Sequence, residues 1–269
     1  MEGLGERVAE LLHELSTLPW NDRGGEVPAT ALLVLTNYIF FMLVATALVV
    51  LFFAVASRRA ALVPRGVGNV AEAGLEFIRN LAVDIIGPEG VRYFPFLATM
   101  FFFILFNNVF GLLPGSLPGT GSIGVTAALA LVTWLVFVYV GFAKNGFGGY
   151  MKSMIPAGVR EMGLFARIVL GGYIFLLEFV STFLVRPFTL AVRLFANMYA
   201  GHIILGIFAA FVAMGIRGGL GLGLIPASLS LVMLVLMYAF EVFVAFIQAY
   251  VFTVLTAVYI GSSLHAAEH

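Results

Sequence analysis

Cysteine is absent from this sequence. Disulfides, thiol catalysis and cysteine-ligated metals are therefore excluded, and the redox compartment leaves no trace in the chain. Charge is scarce: 10% of the residues, divided into 14 basic and 14 acidic, for a net charge of zero. Such a balance offers no basic surface to nucleic acid. The 4 histidines are scattered and have no metal-ligand spacing; two of them, His265 and His269, fall at the very end. A phosphate-cradling glycine loop of the P-loop kind is missing too. The chain is therefore expected to bind no nucleotide, cofactor or metal. What it has in abundance is apolar surface: 62% of residues are hydrophobic and the mean hydropathy is +1.08. A soluble domain does not look like this; the composition is that of a polytopic membrane protein.

Residues 1–30 are polar and mixed. Val8, Leu11, Leu12 and Leu15 make a short amphipathic face, and Pro19 and Pro28 punctuate the rest of the segment. Glu2 and Glu6 stand where a secretory leader would be basic, so no leader is expected. Residues 31–269 read as a single membrane domain. Its first span covers about Ala31 to Ala56, and Arg58, Arg59 and Arg65 come directly after it. Positive residues stay cytoplasmic, which makes residues 1–30 an extracytoplasmic segment. From Val67 to Ile86 the pattern changes: Val70, Gly74, Ile78, Leu81 and Ile85 alternate with Asn69, Glu72, Glu76, Arg79 and Asp84 at helical period. That spacing predicts an amphipathic helix on the cytoplasmic membrane surface, ended by Gly87-Pro88.

The second span runs from about Phe94 to Leu113 and carries Asn107 and Asn108 deep within it. Gly111-Leu-Leu-Pro-Gly-Ser-Leu-Pro-Gly119 then breaks the helix. A buried amide needs partners, which a neighbouring helix or a water path could supply. The third span covers about Ile123 to Phe142, and Lys144, Lys152, Arg160 and Arg167 follow in a Gly-rich loop, which they place in the cytoplasm. Two longer apolar runs remain, about Ile168 to Met214 and Leu224 to Leu264, joined by a short Gly-rich loop. A perpendicular span needs only about 20 residues. Pro187 is the one strong internal breaker, so an antiparallel, steeply tilted hairpin over about 168–264 is expected in preference to four spans. The fold class is then an all-α polytopic membrane protein with five transmembrane segments, the last two forming the long tilted hairpin, plus one cytoplasmic interfacial helix.

The hairpin holds few polar residues: Glu178, Arg186, Arg193, Asn197, His202, Glu241 and Gln248. Arg193 is mid-run, and a guanidinium does not deprotonate at physiological pH. At mid-bilayer it costs about 2.5–3.5 kcal/mol on insertion scales. Arg193, Asn197 and Gly201 share one helix face, with His202 beside it, and Glu241 and Gln248 share a face of the second arm. One reading has Glu178 neutralise Arg193 and merely orient two helices; the other has Arg193 mark an ion or substrate path. Glu178 and Arg186 fall on its cytoplasmic side, while Asn197, His202 and Glu241 fall on its outer side. Two water paths, each open to one side only, would require that division. His202 and Glu241 are titratable groups suited to a proton relay, or to a buried ion pair.

Arg193-Leu-Phe-Ala-Asn-Met-Tyr-Ala-Gly-His202 closely resembles the signature of the subunit a family of F-type ATP synthases, the stator that carries protons past the rotating c-ring. The resemblance covers about residues 31–263. It implies that Arg193 is the family's invariant arginine and faces a c-ring carboxyl, that Gln248 orients the guanidinium, and that Glu178 is an acid on the cytoplasmic path. The Asn108–Pro114 stretch is similar to the family's asparagine followed by a Leu-Leu-Pro break, with Gly111 where some bacterial relatives have an aspartate. A cation about 4 Å from a carboxylate, at an effective dielectric of about 20, contributes about 4 kcal/mol, or about 3 pKa units. Burial in lipid shifts a carboxyl by a comparable amount in the opposite direction. Arg193 would thus force deprotonation of an acid that stays protonated elsewhere on the ring.

On this reading the chain is a non-catalytic, proton-translocating subunit whose path residues are Arg193, Asn197, His202, Glu241, Gln248, Glu178 and Asn108. Its partners would be c-ring subunits, peripheral-stalk b subunits and membrane lipid, with the coupling ion set largely by the ring. It would be a multi-pass protein of the bacterial cell membrane, amino terminus outside and carboxyl terminus cytoplasmic. The rival is a secondary transporter binding an anion at Arg193; such proteins are often built from two related halves, and no internal repeat is visible here. A purely structural scaffold leaves Arg193, His202 and Glu241 unexplained.

Overall fold

The computed structural model describes residues 29–58, 66–113, 116, 118–160, 162–217 and 224–266. The expectations for residues 1–28, for Arg59 and Arg65, for Pro114 and for the hairpin loop at 218–223 lie outside the described residues. The elements are α1 (Ala29–Ser57), α2 (Val67–Ile86), α3 (Gly90–Gly111), a 3-10 turn (Gly119–Gly121), α4 (Ile123–Ser153), α5 (Ala157–Arg160), α6 (Leu164–Val180), a π turn (Ser181–Val185), α7 (Arg186–Arg217) and α8 (Leu224–Leu264). Among the described residues there is no strand, and five helical segments are long and apolar enough to cross a membrane. The chain is an all-α polytopic membrane protein, as composition and periodicity demanded.

The helices follow from their sequences. α1 is apolar on every side and buries little beyond Ala45, as suits a helix wrapped mainly by lipid. α2 is amphipathic: Ala71, Ile78, Leu81, Ala82 and Ile86 are buried, while Glu72, Glu76, Arg79 and Asp84 are exposed. Its apolar face packs on α3, α8 and α1, so the surface helix is anchored on protein. The core is shared by α2, α3, α4, α7 and α8, with Ile78, Leu97, Ile104, Phe137, Leu194 and Ile260 fully buried. α3 sits between α1 and α8, and α4 packs on both arms of the hairpin.

One expectation needs correction. The stretch after Phe142 is helical to Ser153 rather than a loop. It bends at Gly146, where φ is 68° and ψ is 162°, a conformation glycine adopts without the penalty a side chain would bring. The bend folds Phe147 and Tyr150 back onto Phe142, at ring-centroid distances of 5.4 and 5.1 Å. Asn145 Nδ2 then donates to the Ser263 carbonyl at 2.9 Å, tying this end of α4 to the end of α8. Pro187 leaves the first arm one continuous span, as expected of a hairpin rather than four spans. It lacks an N–H and its ring crowds the carbonyl of the preceding turn. The helix answers by widening into the π turn just before it, and then continues as α7.

Candidate functional site

The two arms α7 and α8 pack along each other, and their polar residues fall in separate places. On the amino-terminal side of Arg193, Arg186 Nη2 meets Glu178 Oε1 at 2.6 Å, and Thr182 Oγ1 donates to the same oxygen at 3.3 Å. The Arg186 guanidinium also stands 5.3 Å from the Tyr259 ring centroid. Glu178 is therefore the partner of Arg186 and does not neutralise Arg193.

Arg193 makes no ion pair among the described residues. Leu190, Ala191, Leu194 and Met198 form the buried face of α7, and Arg193 points the other way, exposed in line with Thr189, Ala196 and Ala200. Gln248 is buried on α8, 6% exposed, and no hydrogen bond joins it to Arg193. Asn197 is half-buried at the edge of the interface.

Toward the hairpin loop from Arg193 the arms meet at Glu241, which is 4% exposed. Its carboxyl lies against the Cα of Gly201, in the space a side chain there would fill. Oε2 of Glu241 is buried without a hydrogen-bond partner, and so is the hydroxyl of Tyr238, one turn along the same helix. His202 comes next after Gly201 and is half-buried; its imidazole faces the backbone of Ser116 and Gly111. No hydrogen bond or ion pair joins His202 to Glu241; they are neighbours across Gly201.

The α3–α4 connection supplies the remaining polar groups. Ser116 Oγ lies 2.7 Å from the carbonyl oxygens of Phe110 and Leu113. Thr120 Oγ1 donates to Asn108 Oδ1 at 2.6 Å, and Asn107 Nδ2 donates to the Phe103 carbonyl at 2.8 Å. Asn107 Oδ1 and Asn108 Nδ2 stay buried without partners. Ser116 and Thr120 are buried, and Gly121 lies beside Tyr38 of α1.

The structure sets Glu241 beside Gly201, next to His202, turns His202 toward the backbone of Ser116, and joins Asn108 to Thr120; Ser116, Thr120 and Tyr238 were not singled out by sequence reasoning. The Gly/Pro-rich break gave no sign that Ser116 and Thr120 are buried. Tyr238, three residues before Glu241 on one helix face, was a readable signal. Buried polar atoms without protein partners call for water; Asn107 Oδ1, Asn108 Nδ2, the Tyr238 hydroxyl and Glu241 Oε2 are four such atoms, and Thr133 Oγ1 and Trp134 Nε1 are two more. Among the described residues no three His, Asp or Glu side chains converge as a metal site.

The family model for the ATP synthase A chain matches residues 39–261. A protein of Hyphomonas neptunium named ATP synthase subunit a is 42% identical over 262 residues, covering 96% of this chain and 97% of the relative. One of the same name from Acidiphilium cryptum is 41% identical, covering 86% of this chain and 88% of the relative. A third, from Frankia alni, is 40% identical over 79% of this chain and 71% of its own length. The matched region runs from the first span almost to the end of α8 and takes in Arg193, His202, Glu241 and Gln248, and the chain belongs to the ATP synthase A chain family.

Proposed function

We propose that this chain passes protons to and from the carboxyls of a partner ring through two offset half-channels, one on each side of Arg193, and so couples proton flow to rotation in ATP synthesis. It performs no bond chemistry itself. The observation that carries the reading is Arg193: a permanent cation, unpaired among the described residues, on the exposed face of a membrane-spanning helix. Left to lipid, it would cost about 2.5–3.5 kcal/mol or more. A partner carboxylate at about 4 Å offsets that cost by a comparable amount. The small side chains of Ala196 and Ala200 on the same face allow close approach of a ring helix.

In this mechanism the outer half-channel is the water-accessible set around Asn108, Asn197, His202 and Glu241, extended by Tyr238 and the buried Ser116 and Thr120. A proton moves along it to a ring carboxyl. Arg193 then disfavours the protonated form of whichever ring carboxyl comes beside it, and its own charge blocks passage straight between the two paths. Glu178 borders the cytoplasmic half-channel, where its bond to Arg186 fixes its position. Gln248 would orient the guanidinium only after Arg193 turns toward α8 from its exposed position. The driving force is about 2.3 kcal/mol per charge per 100 mV. The chain would lie in a bacterial cell membrane, amino terminus outside and carboxyl terminus cytoplasmic, with the c-ring on the Arg193 face and peripheral-stalk b subunits among its other partners.

The test uses the lack of native cysteine. Single cysteines replacing Ala196 or Ala200, in the assembled complex, should crosslink to ring helices. One replacing Ala191, on the buried face, should not. Equal crosslinking from both faces would contradict the docking.

A further inference from the structure

The half-buried imidazole of His202 faces the backbone carbonyls of Gly111 and Ser116, one at the end of α3 and one just past it. The chain holds both in place. The last turn of α3 tightens: Leu112 N–H reaches the Val109 carbonyl and Leu113 N–H the Phe110 carbonyl, each at 3.1 Å. Ser116 is fixed at two atoms. Its N–H donates to the Leu113 carbonyl at 3.0 Å, and its hydroxyl lies 2.7 Å from the carbonyl oxygens of Phe110 and Leu113. At Gly111 the missing side chain matters, because a Cβ there would overlap Pro118. The chain can therefore close back over the end of α3 and enter the 3-10 turn Gly119–Gly121, against which α7 packs.

We propose that these two carbonyls take one ring N–H of His202 and fix its tautomer, which makes Gly111 and Ser116 positioning residues for proton transfer. The inference rests on the proton-path reading above. A backbone carbonyl accepts a hydrogen bond and cannot donate one. The ring nitrogen turned toward Gly111 and Ser116 therefore carries hydrogen whether the ring is neutral or charged. A neutral imidazole has a single N–H, so its other nitrogen is bare. That second nitrogen is the atom that takes up a proton and releases it. The first stays bound and keeps the ring from turning. Helix position alone does not do this, because the side chain still rotates between staggered wells; the carbonyls select among them. Glu241, across Gly201, stands beside the ring held in this way. The break after α3 thus has a use beyond reversing the chain: it presents backbone oxygen to a side chain of α7.

The test is solid-state nitrogen NMR of the assembled complex in liposomes, with isotope-labelled histidine. The His202 signal is the difference between the natural complex and one carrying His202→Gln. At a pH well above the ordinary histidine value of about 6.5, it should show a single neutral tautomer, favoured about tenfold over the other. Ser116→Ala removes the hydroxyl that fixes the Ser116 carbonyl, and Gly111→Ala displaces Pro118. Each should lower the tautomer preference several-fold, and the pumping rate with it. Ser122→Ala, on the same connection but with no capping bond from its side chain, should leave both unchanged. Two neutral tautomers in comparable amounts in the natural complex would overturn the proposal. So would a ring protonated at both nitrogens at that pH, or a preference unaltered by Ser116→Ala and Gly111→Ala in assembled complexes. A preference that falls while pumping stays at the natural rate would also overturn it, since the carbonyls would then hold the ring without serving proton transfer. Failure of these results while Arg193→Ala still stops pumping leaves the function above standing and removes only this anchoring.

Discussion

The carboxyl of Glu241 rests on the Cα of Gly201, in the space where any larger residue on α7 would place its side chain. This contact sets where the acid stands on the hairpin-loop side of Arg193 and brings it beside His202. A methyl group at residue 201 would overlap the carboxyl and force it to move. Overpacking of this kind typically costs about 1–3 kcal/mol. Gly201→Ala should therefore slow ATP-driven pumping in inverted vesicles by about tenfold. Gly206→Ala, with nothing within 4 Å of its added methyl, should be near normal. Equal effects of the two would show that the contact does not matter.

His202 and Glu241 stand on opposite arms with Gly201 between them and no direct bond. If a water-linked relay runs through both, as proposed, their contributions are interdependent. His202→Glu and Glu241→His should each impair pumping, and the double exchange should recover part of it. Members of one network couple by about 0.5–3 kcal/mol, whereas independent sites add within about 0.5. A double-mutant cycle on pumping rate, with assembly measured separately, decides this. A double variant no better than the worse single would place the two residues on different paths.

Tyr238 contributes a buried hydroxyl without a protein partner, while its ring packs near Leu205 and Ala245. Tyr238→Phe keeps the packing and removes only the hydroxyl. If that hydroxyl holds a water of the outer path, pumping should fall by about two- to tenfold, the worth of one hydrogen bond of about 0.5–1.5 kcal/mol. An unchanged rate would remove Tyr238 from the path.

The Glu89–Lys144 pair gives a pH prediction outside the membrane. Hydrogen bonding by Lys144 depresses the Glu89 carboxyl, so the folded protein binds its proton less readily than the unfolded chain does. The stabilisation is then fully present above the unfolded value, about 4.3, and is lost as pH falls through the lower folded value. The pair is exposed, so its effect is small. The difference in melting temperature between the natural protein and Glu89→Gln should be constant at neutral pH and vanish only in strong acid. A difference already lost near pH 6 would contradict the assignment.

Much of the fold was legible because apolar runs and helical periodicity are strong signals. The five spans, the bounds of α2 and the long hairpin could all be read that way. What could not be read depended on contacts between segments distant in sequence. The helix beyond Phe142 is held by Asn145 and Tyr150 against Ser263, more than a hundred residues away. The π turn before Pro187 is a local repair for which helix propensity gives no cue. At the site, Arg193, His202 and Glu241 stood out because charge inside a span is rare. The pairing of Glu178 with Arg186, the close approach of Glu241 to Gly201, and the burial of Ser116 and Thr120 depend on tertiary packing and needed the structure.

Proton transfer by this mechanism turns on Arg193 being the one charge that a ring carboxyl meets. The measurement that bears on it most directly is ATP-driven acidification of inverted membrane vesicles containing the assembled complex with Arg193→Ala. Pumping should be abolished while the complex still assembles. Arg193→Lys should also pump poorly, because a compact ammonium lacks the planar fork. Pumping at the natural rate by a fully assembled Arg193→Ala complex would contradict the mechanism.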